Sequence, residues 1–248
     1  SLNDCLDEGP NLFPNLIGLI QRFRMKPIAI SGDLEQAFLQ LSIAPDDRNA
    51  VRLLWYDNKL SNCYPDSDPV VYRYARVPFG LKCSPFLLVA TVRHHLSNVS
   101  GSYAVTAMNI LKNIYVDDVL SSFWSRAEAL LFHKESKEIF NLMGANIHKW
   151  CSSDSGINEV LKCETKTTKL LGLNWNQTVD TFSLHINIPD KDIRTKRGLL
   201  GLVSSIWDPM GFLCPFSIRL RILLQDCWKL KLDWDTEMNN DMIKGISD

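Results

Sequence analysis

Two adjacent carboxylates interrupt an apolar, strand-forming run at residues 114–120, where Asp117 and Asp118 stand side by side. Removing such a charge pair from water is costly unless something neutralises it. No Lys or Arg lies between Asn113 and Ser125, so the neighbouring sequence offers no ion pair. One Asp could be protonated, a divalent cation could bind both, or the pair could simply be solvated in a turn.

A third carboxylate, Asp33, ends another apolar run at residues 27–34 that is typical of a buried strand. If the two strands are neighbours, Asp33, Asp117 and Asp118 converge at one edge of a sheet. Hard oxygen ligands of this kind suit Mg²⁺ or Mn²⁺. Two such ions, about 3.5–4 Å apart, would support in-line phosphoryl transfer.

The composition is that of a globular protein with one large domain or two small ones. The chain has 248 residues, of which 46% are hydrophobic and 22% charged, and its formal net charge is −1. This near-zero charge gives no whole-chain basic signature for nucleic acid. The 7 cysteines include no CxxC pair, which argues against structural zinc. Their odd number predicts reduced thiols and an intracellular location.

No targeting or membrane segment is predicted, because the first residues lack the basic start and apolar core of a signal peptide. The longest apolar stretch, residues 199–216, contains Asp208 and Pro209 and is typical of a core segment. Basic residues are concentrated between Lys191 and Leu232. They could follow a phosphate backbone or form a solvated face.

Hydrophobic periodicity and turn signals predict an α+β fold in which an antiparallel sheet carries helices on one face. The predicted helices cover residues 15–23, 84–96, 125–143, 196–203 and 216–228. The predicted strands cover residues 27–34, 39–43, 72–77, 146–150, 170–175 and 181–188, with hairpins at 57–69 and 114–123.

Several of these segments resemble reverse transcriptase motifs, in the family's order. The run Tyr115–Asp118 resembles the YxDD box, and Asp33–Phe38 resembles the first metal-binding motif. Further resemblances are Val77–Pro85 to the template- and nucleotide-facing motif, Gly144 with Lys149 to the next motif, and Leu170–Leu173 to the primer grip.

The subgroup resembled is the Pao/BEL type of LTR retrotransposon polyprotein. Its features here are SLNDCL with Gly9-Pro10, Arg22–Arg24, His148–Trp150, Leu171–Trp175, Thr195–Arg197 and Trp207–Gly211. The tail from Lys196 resembles the region named for the Pao peptidase. The resemblance implies a segment cut from a longer polyprotein, located in the cytoplasm in retroelement particles.

The resemblance implies a polymerase palm with partial fingers and a thumb- or connection-like C-terminal part. Residues 1–26 and 39–84 would be partial fingers, and residues 27–38 and 85–165 would be the palm with its catalytic site. Residues 166–195 would be primer-grip strands. Residues 196–248 would be the thumb- or connection-like segment.

The resemblance also implies a role for each matching residue. Asp33, Asp117 and Asp118 would bind two Mg²⁺ (or Mn²⁺) ions, and Lys149 would be the general acid for the pyrophosphate. Leu171 and Gly172 would form the primer grip. The implied dNTP-binding residues are Leu34, Gln36, Ala37, Phe38, Phe79, Gly80, Tyr115 and Val116.

Several of these roles have a simpler structural alternative: a core side chain for Phe38, an ordinary turn for Phe79 and Gly80, a surface lysine for Lys149, and a tight strand bend for Leu171 and Gly172. Two departures from the family pattern stand out. The triphosphate-gripping Lys or Arg of the fingers would lie before Ser1, and Ala145 replaces the usual aromatic residue.

The predicted function is therefore RNA-directed DNA polymerisation, a nucleotidyl transfer. The partners would be an RNA or DNA template with primer, dNTP and the other domains of a polyprotein, without a membrane. The alternatives are a relic that binds nucleic acid without catalysis, another two-metal enzyme such as a nuclease, or an aspartic protease built on Asp154-Ser155-Gly156. The last is disfavoured, since no apolar strand runs directly into that triplet.

Overall fold

The computed structural model describes residues 1–56, 69–184 and 193–247. Its contacts divide the chain into two compact units, Ser1–Glu164 and Thr165–Asp248, called here the first and second units. Within the described residues, no helix is both long and apolar enough to cross a membrane.

The first unit combines helices with a mainly antiparallel framework of strands. Its helices are α1 (Leu16–Phe23), α2 (Ala37–Gln40), α3 (Ser84–Asn98), α4 (Ala104–Asn113), α5 (Arg126–Leu142) and α6 (Ser155–Leu161). Its strands are β1 (Ile28–Leu34), β2 (Arg52–Trp55), β3 (Val70–Arg73), β4 (Ile114–Tyr115), β5 (Asp118–Phe123) and β6 (Ile147–Ser152). Short 3-10 turns lie at Leu2–Asp4, Asp47–Ala50 and Gly101–Tyr103.

The main sheet has the order β4-β5-β1-β6, and every neighbouring pair is antiparallel. Ile30 and Leu34 project from β1 into one hydrophobic core, which they share with side chains of α3, α4 and α5. Burial of each such large side chain contributes about 1.5–3 kcal/mol. The core therefore holds β1 rigidly at the centre of the sheet, with Asp33 near its end.

Local sequence signals set the helix that follows the central hairpin. Ser125 is the N-cap of α5, and its side chain accepts a hydrogen bond from the Glu128 amide. Gly144 follows the helix with a φ of +76°, the conformation that favours glycine after a helix. The predictions of the helix at 125–143, the helix at 84–96 and the hairpin at 114–123 are confirmed by α5, α3 and the β4–β5 pair.

Other predicted elements were wrong or incomplete. The predicted strand at 39–43 is not formed, because residues 37–40 make α2 and Ser42 joins only an isolated bridge with Arg76. The predicted strand at 170–175 is two strands, separated by a turn at Leu171 and Gly172. Helices α4 and α6 were not predicted. The proposed loop at 57–69 lies almost wholly outside the described residues.

The second unit contains a small sheet of order β7-β8-β9 and three described helices. These elements are β7 (Thr167–Leu170), β8 (Leu173–Asn176), β9 (Thr181–Ser183), α7 (Lys196–Ser205), α8 (Cys214–Lys229) and α9 (Asn240–Ser247). Leu199, Cys227, Met238 and Met242 form one buried cluster of this unit. The helices predicted at 196–203 and 216–228 correspond to α7 and α8, whereas α9 was not predicted.

Candidate active site

The sheet register brings the first and last of the three candidate aspartates together. Asp33 of β1 and Asp118 of β5 are directly opposed partners in the antiparallel pair. Asp117 precedes β5, and its carbonyl accepts a hydrogen bond of 2.8 Å from the Leu34 amide. The main chain of one catalytic candidate is thus tied to the strand that carries another.

The turn that carries Asp117 is tight. Tyr115 and Asp118 are paired, so only Val116 and Asp117 connect β4 to β5. Val116 adopts a φ of +56°, an unfavourable conformation for a β-branched side chain. Such strain persists only where surrounding structure enforces it, and it is concentrated at functional sites.

The charges at this turn are in conflict. Burial raises the pKa of Asp117, and the negative charge of Asp33 acts in the same direction. A hydrogen bond to its own backbone amide and the positive charge of Lys149 oppose this rise. The site therefore concentrates negative charge that an added cation would stabilise.

Two basic side chains of β6 contact the Asp33 carboxylate. Nε2 of His148 lies 2.9 Å from Oδ1, and because a carboxylate only accepts, the imidazole N–H is the donor. Nζ of Lys149 lies 3.6 Å from Oδ2. His148 was missing from the predicted site residues, although it directly precedes Lys149 in a segment already predicted to be a strand.

A β-bulge explains how adjacent residues of one strand reach the same carboxylate. Ser31 pairs with Cys151 and Asp33 pairs with His148, so the register shifts at Gly32. Lys149 and Trp150 are the two β6 residues that lie opposite Gly32, and Lys149 has a φ of +49°. In a regular strand, successive side chains point to opposite faces, and the bulge redirects one of them.

Gly32 makes this bulge possible. A Cβ atom at this position would lie 2.7 Å from Cγ2 of Ile147 and 2.8 Å from Cδ2 of Trp150. Neither neighbour can yield easily, since both are almost fully buried. A glycine is therefore required opposite the point where β6 bulges.

The residues present fit a divalent cation in chemistry and charge. Carboxylate oxygens are the donors that Mg²⁺ and Mn²⁺ prefer, and Asp117 bears a charge disfavoured by burial and by Asp33. Across the ranges 1–56, 69–184 and 193–247, no group of three or more His, Cys, Asp or Glu is arranged to hold a metal ion. Asp33 instead contacts His148 and Lys149.

The residues predicted to bind the nucleotide form an aromatic neighbourhood next to β1. The rings of Phe38 and Phe79 meet edge to face, with centroids 5.0 Å apart. Phe79 is 72% exposed, and Gly80 follows it with a φ of +88°. Gln36, with a φ of +49°, precedes the buried Ala37 at the start of α2.

On the hairpin side, Tyr115 contacts Phe13, with ring centroids 5.3 Å apart.

Leu171 and Gly172, the predicted primer grip, lie in the second unit. Both have positive φ, +51° and +82°, which is typical of a two-residue hairpin turn between twisted strands. Nε1 of Trp207 donates to the Leu171 carbonyl at 2.9 Å. A Cβ atom at Gly172 would lie 2.5 Å from that indole nitrogen, so the turn needs glycine.

The basic residues at the start of α7 are engaged within the second unit. Lys196 is buried, with Nζ 3.5 Å from the centre of the Trp228 ring and 2.9 Å from the Leu232 carbonyl. Arg197 makes a bidentate ion pair with Asp235. These contacts give both side chains a structural role. Lys196 is buried and lies on no solvated face, whereas the ion-paired Arg197 side chain remains 63% exposed.

Asp154 also has a structural role. It is the N-cap of α6, accepting from the Ile157 amide, and it pairs with Arg126 at 2.8 Å. Although burial opposes its ionisation, the Arg126 guanidinium and the Ile157 and Gly156 amides hold the pKa of Asp154 below its usual range. The Asp-Ser-Gly triplet is thereby explained as a helix start.

Comparisons with known proteins agree with this architecture. The family described as reverse transcriptase (RNA-dependent DNA polymerase) matches residues 6–174, and the family described as Pao retrotransposon-like RNaseH-like domain matches residues 195–248. The latter description differs from the peptidase label that the tail's resemblance suggested. No curated protein sequence matches the chain significantly.

Two foamy virus structures resemble the fold. The foamy viral protease-reverse transcriptase in complex with RNA/DNA hybrid has a TM-score of 0.57 at 18% identity, over 95% of this chain and 28% of that chain. The foamy viral protease-reverse transcriptase dRH in complex with ds DNA has a TM-score of 0.60 at 17% identity, over 98% and 37%.

The chain thus spans well under half of the length of these proteins, and at such identities the likeness concerns the fold alone. The match of the reverse transcriptase family to residues 6–174 covers most of the chain. The chain belongs to the reverse transcriptase family of RNA-directed DNA polymerases, and its C-terminal part is of the Pao retrotransposon type.

Proposed function

We propose that this chain forms the polymerase core of a Pao/BEL-type retrotransposon reverse transcriptase, adding dNTPs to a primer 3′-hydroxyl. The observation that carries the proposal is the pairing of Asp33 with Asp118, with Asp117 in the adjoining turn. All three lie within the segment matched by the reverse transcriptase family.

Asp33, Asp117 and Asp118 would hold two Mg²⁺ or Mn²⁺ ions, and the Leu34 carbonyl would add a ligand. When bound, such ions lower the pKa of the attacking hydroxyl and neutralise the triphosphate. The tie between the Leu34 amide and the Asp117 carbonyl fixes the separation of the two chain segments. Fixed carboxylates provide stabilisation without reorganisation during the reaction.

Lys149 would donate the proton that the pyrophosphate leaving group needs. Its side chain is 67% exposed while Nζ stays 3.6 Å from Oδ2 of Asp33. A lysine held beside the carboxylates yet open to solvent can reach a triphosphate without crossing a buried region. General acid catalysis of this kind contributes about 10²–10⁴-fold.

The nucleotide would bind between α2 and the Phe79 loop. Phe38 would lie beneath the sugar and exclude a 2′-hydroxyl, and its contact with Phe79 restricts its rotamers. Gln36 and Ala37 amides would contact phosphates, while Gly80, Tyr115 and Val116 would complete the pocket. The left-handed conformations of Gln36 and Val116 support roles of their main-chain groups.

A template with a primer would be the macromolecular partner, as in the foamy viral complexes with RNA/DNA hybrid and ds DNA. Residues 27–38 and 85–165 would form the palm, with partial fingers at 1–26 and 39–84. Leu171 and Gly172, within the primer-grip strands at 166–195, would press on the primer backbone. Residues 196–248 would form a thumb- or connection-like segment beside the other domains of a polyprotein.

The direct test is primer extension on poly(rA)/oligo(dT) with Mg²⁺ or Mn²⁺. Asp117→Asn should abolish extension, whereas Asp154→Asn, a matched change of a structural aspartate, should leave it within about twofold. Equal primer extension by the wild type and Asp117→Asn would contradict the proposal. No extension by wild type, even with polyprotein sequence added before Ser1, would favour a relic that binds nucleic acid without catalysis.

A further inference from the structure

Asn3 connects the start of the chain to a loop far away in sequence. Its Nδ2 donates to the Gly80 carbonyl at 2.9 Å, across 77 positions. Its Oδ1 accepts from the Lys82 amide, also at 2.9 Å, across 79 positions. The side-chain amide thereby satisfies one acceptor and one donor on the same turn of main chain.

The other end of this loop is fixed from within. Oγ of Ser84, a residue only 2% exposed, donates to the Pro78 carbonyl at 2.8 Å. The Ser84 amide donates to the Leu81 carbonyl at 3.1 Å. Together with Asn3, these bonds fix the main chain from Pro78 to Ser84, including the left-handed Gly80.

The fixed loop presents an aromatic side chain to solvent. Phe79 is 72% exposed, yet its main chain lies between anchored neighbours, and its ring meets the ring of Phe38 edge to face. A loop held rigid while it exposes a large apolar group is typical of a binding surface positioned by a scaffold.

We propose that Asn3 is a positioning residue for the nucleotide pocket: it clamps the Gly80–Lys82 turn so that Phe79 stays against Phe38. This inference rests on the proposed function, because it takes Phe38 and Phe79 as the walls of the dNTP site. A displacement of the loop by about 1 Å would weaken nucleotide binding without touching the carboxylates.

Stability alone does not account for the clamp. Asn3 is exposed, and two hydrogen bonds open to water shift a local loop equilibrium by about tenfold, which is small against the stability of a folded domain. The N-terminal segment is also held elsewhere, since Gly9 packs so tightly on Phe86 that a Cβ atom would lie 2.5 Å from the ring. In addition, Nη1 of Arg93 donates to the Leu12 carbonyl at 2.9 Å. Substitutions at Asn3 should therefore leave the fold and the segment in place.

The test compares Asn3→Ala and Asn3→Asp with Asn11→Ala, a control whose side chain accepts a hydrogen bond from the nearby Phe13 amide. The hydrogen-exchange rate of the Lys82 amide shows whether its bond to Asn3 is intact, and no nucleotide is needed for this measurement. Steady-state extension of oligo(dT) on poly(rA) gives KM for dTTP and kcat. Equilibrium binding of radiolabelled dTTP with Mn²⁺ gives a dissociation constant that does not require turnover.

In Asn3→Ala we expect faster exchange at Lys82, a KM for dTTP raised by about tenfold, and kcat within about twofold. Asn3→Asp keeps an acceptor for the Lys82 amide, so its exchange should stay near wild type and its KM should be intermediate. Asn11→Ala should match wild type in each measurement. Faster exchange with an unchanged KM and dTTP dissociation constant would overturn the positioning role.

Failure of the proposed function would look different. A wild-type chain that binds dTTP but does not extend primers would contradict the polymerase activity without contradicting the role of Asn3. The Asn3 inference would then be supported if Asn3→Ala weakens dTTP binding by about tenfold, and overturned if it does not. A wild-type chain that binds no dTTP, even with polyprotein sequence added before Ser1, would overturn both.

Discussion

Oδ1 of Asp33 accepts a hydrogen bond of 2.9 Å from Nε2 of His148, its direct partner across the β1–β6 pair. This bond fixes one oxygen of the first candidate metal ligand, while Lys149 contacts the other. Both contacts depend on the bulge opposite Gly32. The candidate site is therefore shaped as much by the register of β6 as by the aspartates themselves.

The first prediction concerns the donor on His148. His148→Ala should reduce primer extension by about tenfold, since Asp33 would lose the bond that orients it. His148→Gln can still donate and should retain more activity. Manganese affinity, measured by electron paramagnetic resonance, should fall in the same order. His94→Ala, which changes an α3 imidazole bonded to Asn98, is the control, and an equal loss there would contradict the prediction.

The second prediction separates the chemistry of Lys149 from its backbone. Lys149→Gly and Lys149→Ala both remove Nζ, so each should lower single-turnover extension by about 10²-fold or more. Because the φ of residue 149 is +49°, the glycine variant should be more stable to denaturant than the alanine variant by about 1 kcal/mol.

Lys162 offers a matched control for this pair. It caps α6 with a φ of +56°, so Lys162→Gly should likewise be more stable than Lys162→Ala, but both variants should leave extension unchanged. A Lys149→Gly variant with wild-type extension would show that Nζ has no catalytic role. Equal stability of the two Lys149 variants would show that the bulge carries no conformational strain.

Local signals were sufficient to predict the elements that carry the aspartates. The apolar run before Asp33, the Ser125 cap and the apolar hairpin around Asp117 each encode their structure within a few residues. The sequence supported the association of β1 with β5 only as a hypothesis, because a carboxylate near the end of one apolar strand and two carboxylates at the start of the other suggest a shared cation; the β1–β5 pairing agrees with it. The antiparallel α+β fold was predictable on this basis and is confirmed.

The features that could not be predicted depend on distant partners. The bulge at Lys149 arises from contact between Gly32 and the side chains of Ile147 and Trp150, which no local pattern records. His148 was therefore recognisable only as part of the His148–Trp150 family resemblance, and no local pattern indicated its place beside Asp33. Similarly, a hydrogen bond from Trp207 supports the left-handed Leu171. Because this partner lies far along the chain, the sequence at 170–175 predicted one continuous strand.

The third prediction tests the tight packing at Gly32. Gly32→Ala should destabilise the protein by about 1–3 kcal/mol, because its Cβ atom would overlap Ile147 and Trp150. It should also reduce extension by disturbing the bulge. Gly201→Ala is the control: beyond its own helix, no atom of the described residues lies within 4 Å of a new Cβ at this position in α7, so the variant should gain about 0.5–1 kcal/mol. Urea denaturation measures both, and a neutral Gly32→Ala would refute the packing explanation.

The fourth prediction uses the pH dependence of Asp154. The pKa of Asp154 is lowered in the folded state. Near its pKa, the folded protein therefore binds fewer protons at this residue than the unfolded chain, in which the pKa of Asp is about 3.9. Its contribution to stability should be complete at neutral pH and decline as the pH falls below about 4. Asp154→Ala should cost about 1–2 kcal/mol at pH 7, the value of a lost helix cap, and progressively less in acid.

Asp154→Asn distinguishes the cap from the ion pair with Arg126. Asparagine is an equally good N-cap, so this variant should lose less than about 1 kcal/mol, and its deficit should come from the partly exposed charge pair. Denaturant midpoints of the wild type, Asp154→Asn and Asp154→Ala, measured from pH 7 to pH 3, give the comparison. A wild-type advantage that persists unchanged at pH 3 would mean that the Asp154 carboxylate is not the titrating group. Loss of primer extension in Asp154→Asn, without loss of stability, would instead give this residue a role in the reaction that a helix cap does not have.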